Sequence, residues 1–260
     1  DKSIASGLNN GNISSLSYGY FIFSSVHSIL IGGVCAIVFS HFSSLIVQKK
    51  YKKVYDLYKN TINILILILL PFSLFLYIDS ELIVRILYGR GAFDETAIYL
   101  TSKTMAAYSI GLLFVGIRDV IIRLNYAYQD MYIPTVNGIM SVTVNIILNI
   151  IFLRLWGIAG IALASSLSCC ICLVPLLILT AKRLPVNPFM AFEKELYIMH
   201  FPAIIISIIV IHTWSECSGD IPLLLKCTLD AFFWFCSYYI ILLIFKNKYV
   251  KNIIKRILRV

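Results

Sequence analysis

Long, nearly continuous apolar runs constrain this chain more than any other feature. Ile62 to Ile78 and Ala203 to Ile211 are examples. Only 13% of the 260 residues are charged and 60% are hydrophobic, with a mean hydropathy of +0.88. Soluble domains carry roughly 25% charged residues, so a bilayer must solvate much of this surface. Lipid offers no partner to backbone polar groups, which leaves helices or a closed barrel. Barrel strands alternate apolar and polar residues over short segments. The runs here are too long and too uniform for that, so the expected class is all-α integral membrane, with about seven transmembrane helices.

The expected spans are 14–47, 61–78, 97–122, 132–153, 158–181, 198–214 and 221–245. Between the second and third, Leu82 to Tyr88 reads as a short amphipathic interfacial helix within residues 80–92. The organisation predicted is a five-span bundle over 1–181, two further spans over 182–245, and a basic tail over 246–260. Apolar Val250, Ile253, Ile254 and Ile257 alternate with basic residues in that tail, the pattern of an amphipathic helix on an anionic leaflet.

The net charge of +9 is read as topology, with no nucleic-acid partner. With the first loop placed inside, the cytoplasmic ends hold Lys49, Lys50, Lys52, Lys53, Lys59, Arg118, Arg123, Lys182, Arg183, Lys194 and the six basic residues of the tail. The other side holds only Lys2, Arg85, Arg90, Lys103, Arg154 and Lys226. This positive-inside bias puts the N-terminus outside and the C-terminus in the cytoplasm. An outside start with no Met and no signal peptide leads us to expect a preceding segment.

Polar residues at membrane depth point to function. Asn137, Asn145 and Asn149 share one stripe of the fourth span. They either hydrogen-bond to neighbouring helices or hold a hard cation through their carbonyl oxygens. Gly157, Gly160, Ala164 and Ser168 form a small-residue stripe suited to close packing, and Ser165 and Ser166 could add oxygen ligands. Lys226 and Asp230, one turn apart, are expected to form an intramembrane ion pair. Arg118 and Arg123 either anchor the inner end of the third span or attract a phosphate, and His27 could line a cavity. The seven cysteines lie mostly in apolar runs without a CxxC pair, so they read as packing residues and not as a metal or disulfide framework. Walker A, HExxH and nucleophile-elbow motifs are absent, and no catalytic residue is assigned. The chain reads as a transporter, not an enzyme.

Three segments in order, ILYGRGAFDETAI (86–98), RLNYAYQDMYIPTVNG (123–138) and NIILNIIFLRLWGIAGIALASSLS (145–168), resemble the MurJ/MviN family of lipid II flippases. The opening DKSIASGLNNGNISSLSYGY resembles the end of a central helix of that family and the loop after it. The resemblance implies the C-terminal lobe, helices eight to fourteen, of a two-lobe carrier in the multidrug/oligosaccharidyl-lipid/polysaccharide exporter superfamily. The missing partner would be the N-terminal lobe of the same chain. It further implies a bacterial cytoplasmic membrane location and alternating-access export of the lipid-linked peptidoglycan precursor on its undecaprenyl-pyrophosphate carrier. The last two spans would form a groove for its tail. Headgroup contacts are expected at Tyr18, Ser24, Ser25, His27, Arg118 and Arg123. A sodium site is implied at Asp1, Asn145, Asn149, the Ile161 carbonyl and Ser165, the one cofactor expected. Two positions depart from the family pattern: Asn149 replaces an acid, and Phe21 stands where a cavity arginine belongs, with Ser24 near the place of its acidic neighbour. Another polyprenyl-linked oligosaccharide, a multidrug substrate, or a non-transporting scaffold remain the competing readings.

Overall fold

The computed structural model describes residues 12–185, 187–192, 194–217, 221–245, 247 and 249–251, and within them every regular element is helical. The chain divides into two compact units, 1–192 and 193–260.

In the first unit α1 (Asn12–His27), a π-helical turn (Ser28–Gly32) and α2 (Gly33–Val47) run on as one long apolar span. α3 (Tyr51–Ile78) follows after a tight turn in which Lys49 takes a positive φ. The helix begins ten residues before the expected apolar run, because its first turns carry the basic, interfacial residues. α4 (Ser80–Tyr88) is the short amphipathic helix. α5 (Glu95–Ser109) and α6 (Leu112–Ala127) make one span bent by 43°. α7 (Tyr132–Arg183) is 52 residues long and broken at Gly157 (φ 59°, ψ −137°).

Among the described residues four helices are long and apolar enough to cross a bilayer, and a fifth span is gained if the bent pair counts as one. Breaking α7 at Gly157 makes two spans of it, and a shorter apolar helix lies at Ile198–Trp214. These segments correspond to the seven expected, and the chain is a multi-pass membrane protein.

The bend between α5 and α6 frees backbone carbonyls, which cannot be left bare in lipid. Side chains supply donors: Ser73 Oγ to Ser109 O (2.7 Å), and Ser166 Oγ to Ala107 O (2.7 Å) and Tyr108 O (3.2 Å). Gly111 lies so close to Ser166 that a Cβ there would sit 2.8 Å from Oγ. Asn125 ties α6 to α7 through Thr180 Oγ1 (3.0 Å). Phe42, Tyr58, Ile62, Leu65, Leu69, Met105, Leu112, Val120 and Leu176 fill the centre of the unit, all fully buried.

The unit boundary falls after Phe192, not after Ala181 as expected. Hydrogen bonds hold the 3-10 turn Pro188–Ala191 to α3. Tyr55 donates to Met190 O at 3.0 Å, and Asn63 Nδ2 to Ala191 O at 3.0 Å.

The second unit pairs α8 (Lys194–Cys217) with α9 (Leu223–Ile244). Ser237 donates to Ser207 (3.0 Å), and His200 Nδ1 pairs with the Tyr238 hydroxyl. The expected Lys226–Asp230 salt bridge is not formed. Asp230 is buried. The amphipathic tail beyond Lys251 lies outside the described residues.

Candidate functional site

The two arms of α7 fold back on each other about Gly157, and their hydrogen bonds step inward in register. Asn137 Nδ2 donates to Cys172 O (2.7 Å), and Asn145 Nδ2 to Ser165 Oγ (3.1 Å). Close to the turn, Gly160 lies against the Phe152 carbonyl. Gly160 of the small-residue stripe is therefore used within one helical hairpin. Gly157 differs from the packing role expected of it: a Cβ would meet nothing within 4 Å, and its positive φ makes the reversal.

Asn149 Nδ2 donates to Asn145 Oδ1 (2.9 Å), and Ser165 Oγ to Ile161 O (3.3 Å). Four of the five residues expected to hold sodium thus meet at one place. Asp1 lies outside the described residues. The chain Asn149 to Asn145 to Ser165 to Ile161 commits donors to the same oxygens a cation would use. All four groups are neutral, which suits a monovalent ion more than a divalent one.

Beside this chain opens a cavity of about 690 Å³ between α1, the α5–α6 bend and both arms of α7. Tyr20, Phe23 and Tyr108 form an aromatic wall, with ring centroids 5.5 Å (Tyr20–Tyr108) and 5.7 Å (Phe23–Tyr108) apart. Ser141, Asn145, Ser165, Ser168 and Cys169 supply small and polar groups, and Arg118 supplies the charge. Arg118 Nε donates to Asn137 Oδ1 (3.0 Å), so the first arm of α7 aims the guanidinium. A guanidinium has five N–H donors. Those not used here can bind an anion, and a few convergent polar groups in an apolar cleft are the usual make-up of a ligand site.

Of the six headgroup residues read from the sequence, Arg118 alone lines this cavity. His27 Nε2 instead bonds Asp119 Oδ2 (3.0 Å), joining the end of α1 to α6 at a half-buried position next to the π-helical turn. Ser24 and Ser25 both donate to Phe21 O (3.0 and 2.8 Å), bonds within their own helix. Tyr18 packs on Tyr88 (4.8 Å) and Phe93 (5.6 Å) at the far end of α1. Arg123 is exposed and lies outside the cavity lining. Sequence reasoning missed Tyr20, Phe23, Tyr108 and Ser141. The serine lies one turn before Asn145 on the stripe already marked by asparagines, a signal that was available. The aromatic residues resemble any packed helix face.

A family model described as "MurJ: Lipid II flippase MurJ" matches residues 1–221. The chain is 27% identical over 164 residues to the probable lipid II flippase MurJ of Treponema pallidum, covering 63% of this chain and 31% of that one. It is 35% identical over 122 residues to the lipid II flippase MurJ of Thermosipho africanus, covering 47% and 26%. A solved structure titled "Lipid II flippase MurJ, inward closed conformation" superposes with a TM-score of 0.74 at 26% identity, over 96% of this chain and 50% of that one. The chain therefore spans half or less of the proteins it matches.

Proposed function

Because the chain belongs to the MurJ lipid II flippase family, we propose that it forms one lobe of a carrier that turns lipid-linked peptidoglycan precursor outward across the bacterial cytoplasmic membrane. The N-terminal lobe would supply the opposing wall. The observation that carries this reading at the residue level is the cavity with Arg118 at its side. A pyrophosphate headgroup needs a cation that keeps its charge at any physiological pH and can bond bidentately, which arginine provides. Arg118 would take the position of headgroup anchor that Phe21, 64% exposed on α1, cannot fill. The flat faces of Tyr20 and Tyr108 would lie along the sugars. Exposed apolar residues on α8 and α9, including Phe201, Ile209 and Phe232, support their assignment to the polyprenyl tail.

A sodium ion fits the Asn145, Asn149, Ile161 and Ser165 set weakly, through neutral oxygens alone; when bound it would tie the two arms of α7 together electrostatically. The Lys and Arg asymmetry supports an outside start and a cytoplasmic end. Exposure of Phe21 also favours a second reading, in which the polyprenyl-linked headgroup is an oligosaccharide with less charge near α1.

The test is to deplete the native flippase of a bacterium and express the full-length gene that encodes this chain. Restored labelling of lipid II at the outer leaflet is expected. Failure to restore it, with the protein present in the membrane, would overturn the lipid II assignment.

A further inference from the structure

The first unit holds a second opening, of about 740 Å³, that shares no lining residue with the Arg118 cavity. It lies where four segments reach one end of the bundle: the end of α3 (Tyr77), the start of α4 (Glu81), the first turns of α5 (Tyr99, Lys103) and the hairpin turn of α7 (Trp156). The basic-residue asymmetry assigns that end to the outside. We propose that this opening binds a glycerophospholipid of the outer leaflet, with the lipid phosphate on Lys103 and an acyl chain along Ala107, Ile110 and Leu163.

Charge argues first. Lys103 is exposed, holds its ammonium 5.5 Å from the Tyr99 ring centroid, and has no ion pair among the described residues. Glu81 is the acid lining the opening, and it already accepts a bond from Arg85 (3.2 Å). Arg85 is shared between Glu81 and Glu95, whereas Lys103 has no ion-pair partner of its own among the described residues, and the complement of its ammonium is an anion.

Depth argues second. Lys103, Ala107 and Ile110 fall on one helix stripe. At 1.5 Å per residue, Ile110 lies about 10 Å below Lys103 toward the bilayer midplane. A phosphate at Lys103 thus has acyl carbons beside Ile110, and a soluble anion would use none of that lower wall. Tyr77, Tyr99 and Trp156, each about half exposed, surround the upper rim at the level where amphipathic rings meet headgroups.

Native mass spectrometry of the full-length protein, titrated with phosphatidylglycerol in mixed micelles, tests the site without reading transport. Wild type and Lys103→Arg should retain one phospholipid more tightly than the rest. Lys103→Gln and Lys103→Glu should each weaken that binding about tenfold, the value of one charge-assisted phosphate contact. The position is exposed, so folding is preserved. Equal retention by Lys103→Glu and wild type would overturn the proposal. So would displacement by sn-glycerol 3-phosphate, which would mark a soluble-phosphate site, or by undecaprenyl pyrophosphate, which would mark a substrate site. A lipid II transport defect by itself moves none of these readouts.

Discussion

Gly157 adopts φ 59° at the reversal of α7, where any side chain would be strained although space is open around it. Gly157→Ala should therefore lower the thermal unfolding midpoint of the purified full-length protein, by the equivalent of about 1–3 kcal/mol. Gly138, on a regular part of the same helix and also in open space, is the control. Gly138→Ala should leave the midpoint unchanged or raise it slightly. A similar argument applies at the α5–α6 bend. Ser166→Ala removes the hydroxyl that serves Ala107 O and Tyr108 O, and should cost about 1 kcal/mol in the same assay. The sequence marked Ser166 as a polar group at depth but suggested a ligand. Only the bend, which arises where α5 stops at Ser109, reveals that its oxygen serves backbone. Asn145 and Ser165 were grouped only by what the family resemblance implied, since spacing alone showed each as a polar group at membrane depth. Tyr18, Ser24 and Ser25 were not separable from cavity residues, since a helix sequence does not say whether a hydroxyl turns back onto its own carbonyls.

At the scale of elements, two of the segments that carried the family resemblance, 86–98 and 123–138, each hold a turn and a helix start. Asp94 of RGAFD accepts the Ala97 amide (2.8 Å) and starts α5, and Gly91 takes φ 66° in the same turn. Arg85 on α4 grips Glu95 with both Nη groups (2.6 and 2.7 Å) and also meets Glu81, which raises its already high affinity for its proton. Arg85→Ala should loosen the join between α4 and α5. Limited proteolysis across 89–94 should quicken, and high salt should produce a milder version of that change in the wild type. Asp130 plays the matching part at the other end, accepting the Tyr132 and Ile133 amides and pairing with Arg183 (3.3 Å), which also covers the Tyr132 ring. Span number and order were legible because apolar length is a direct consequence of bilayer thickness. Helix boundaries were less so: α3 begins in a basic, polar stretch that hydropathy discounts, although the break expected between 153 and 158 does fall at Gly157.

For the whole molecule, the reading as one lobe of a lipid flippase makes two demands on activity. Arg118→Ala should reduce outer-leaflet lipid II in the depletion assay at least about tenfold, as expected for losing a charge-assisted anion contact, and Arg118→Lys should recover part of it. Asn145→Ala should change any sodium dependence of transport measured in proteoliposomes; an unchanged dependence would remove sodium from that site. Both variants leave the hairpin turn intact, which matters for motion. A reversal of a single residue, followed by side-chain bonds from Asn145 to Ser165 and from Asn137 to Cys172, gives the two arms of α7 almost no independent travel. They behave as one stiff lever with its fulcrum elsewhere. The regular helices of the unit are interrupted at the π-helical turn Ser28–Gly32 and at the 43° bend before Leu112, and flexure would fall there. Spin labels placed on the two arms should hold their separation through the transport cycle, while the distance from either arm to α1 changes. The polar chain would then be carried as cargo by the lever, and the cavity would open and close by flexure of α1 and α6 against it.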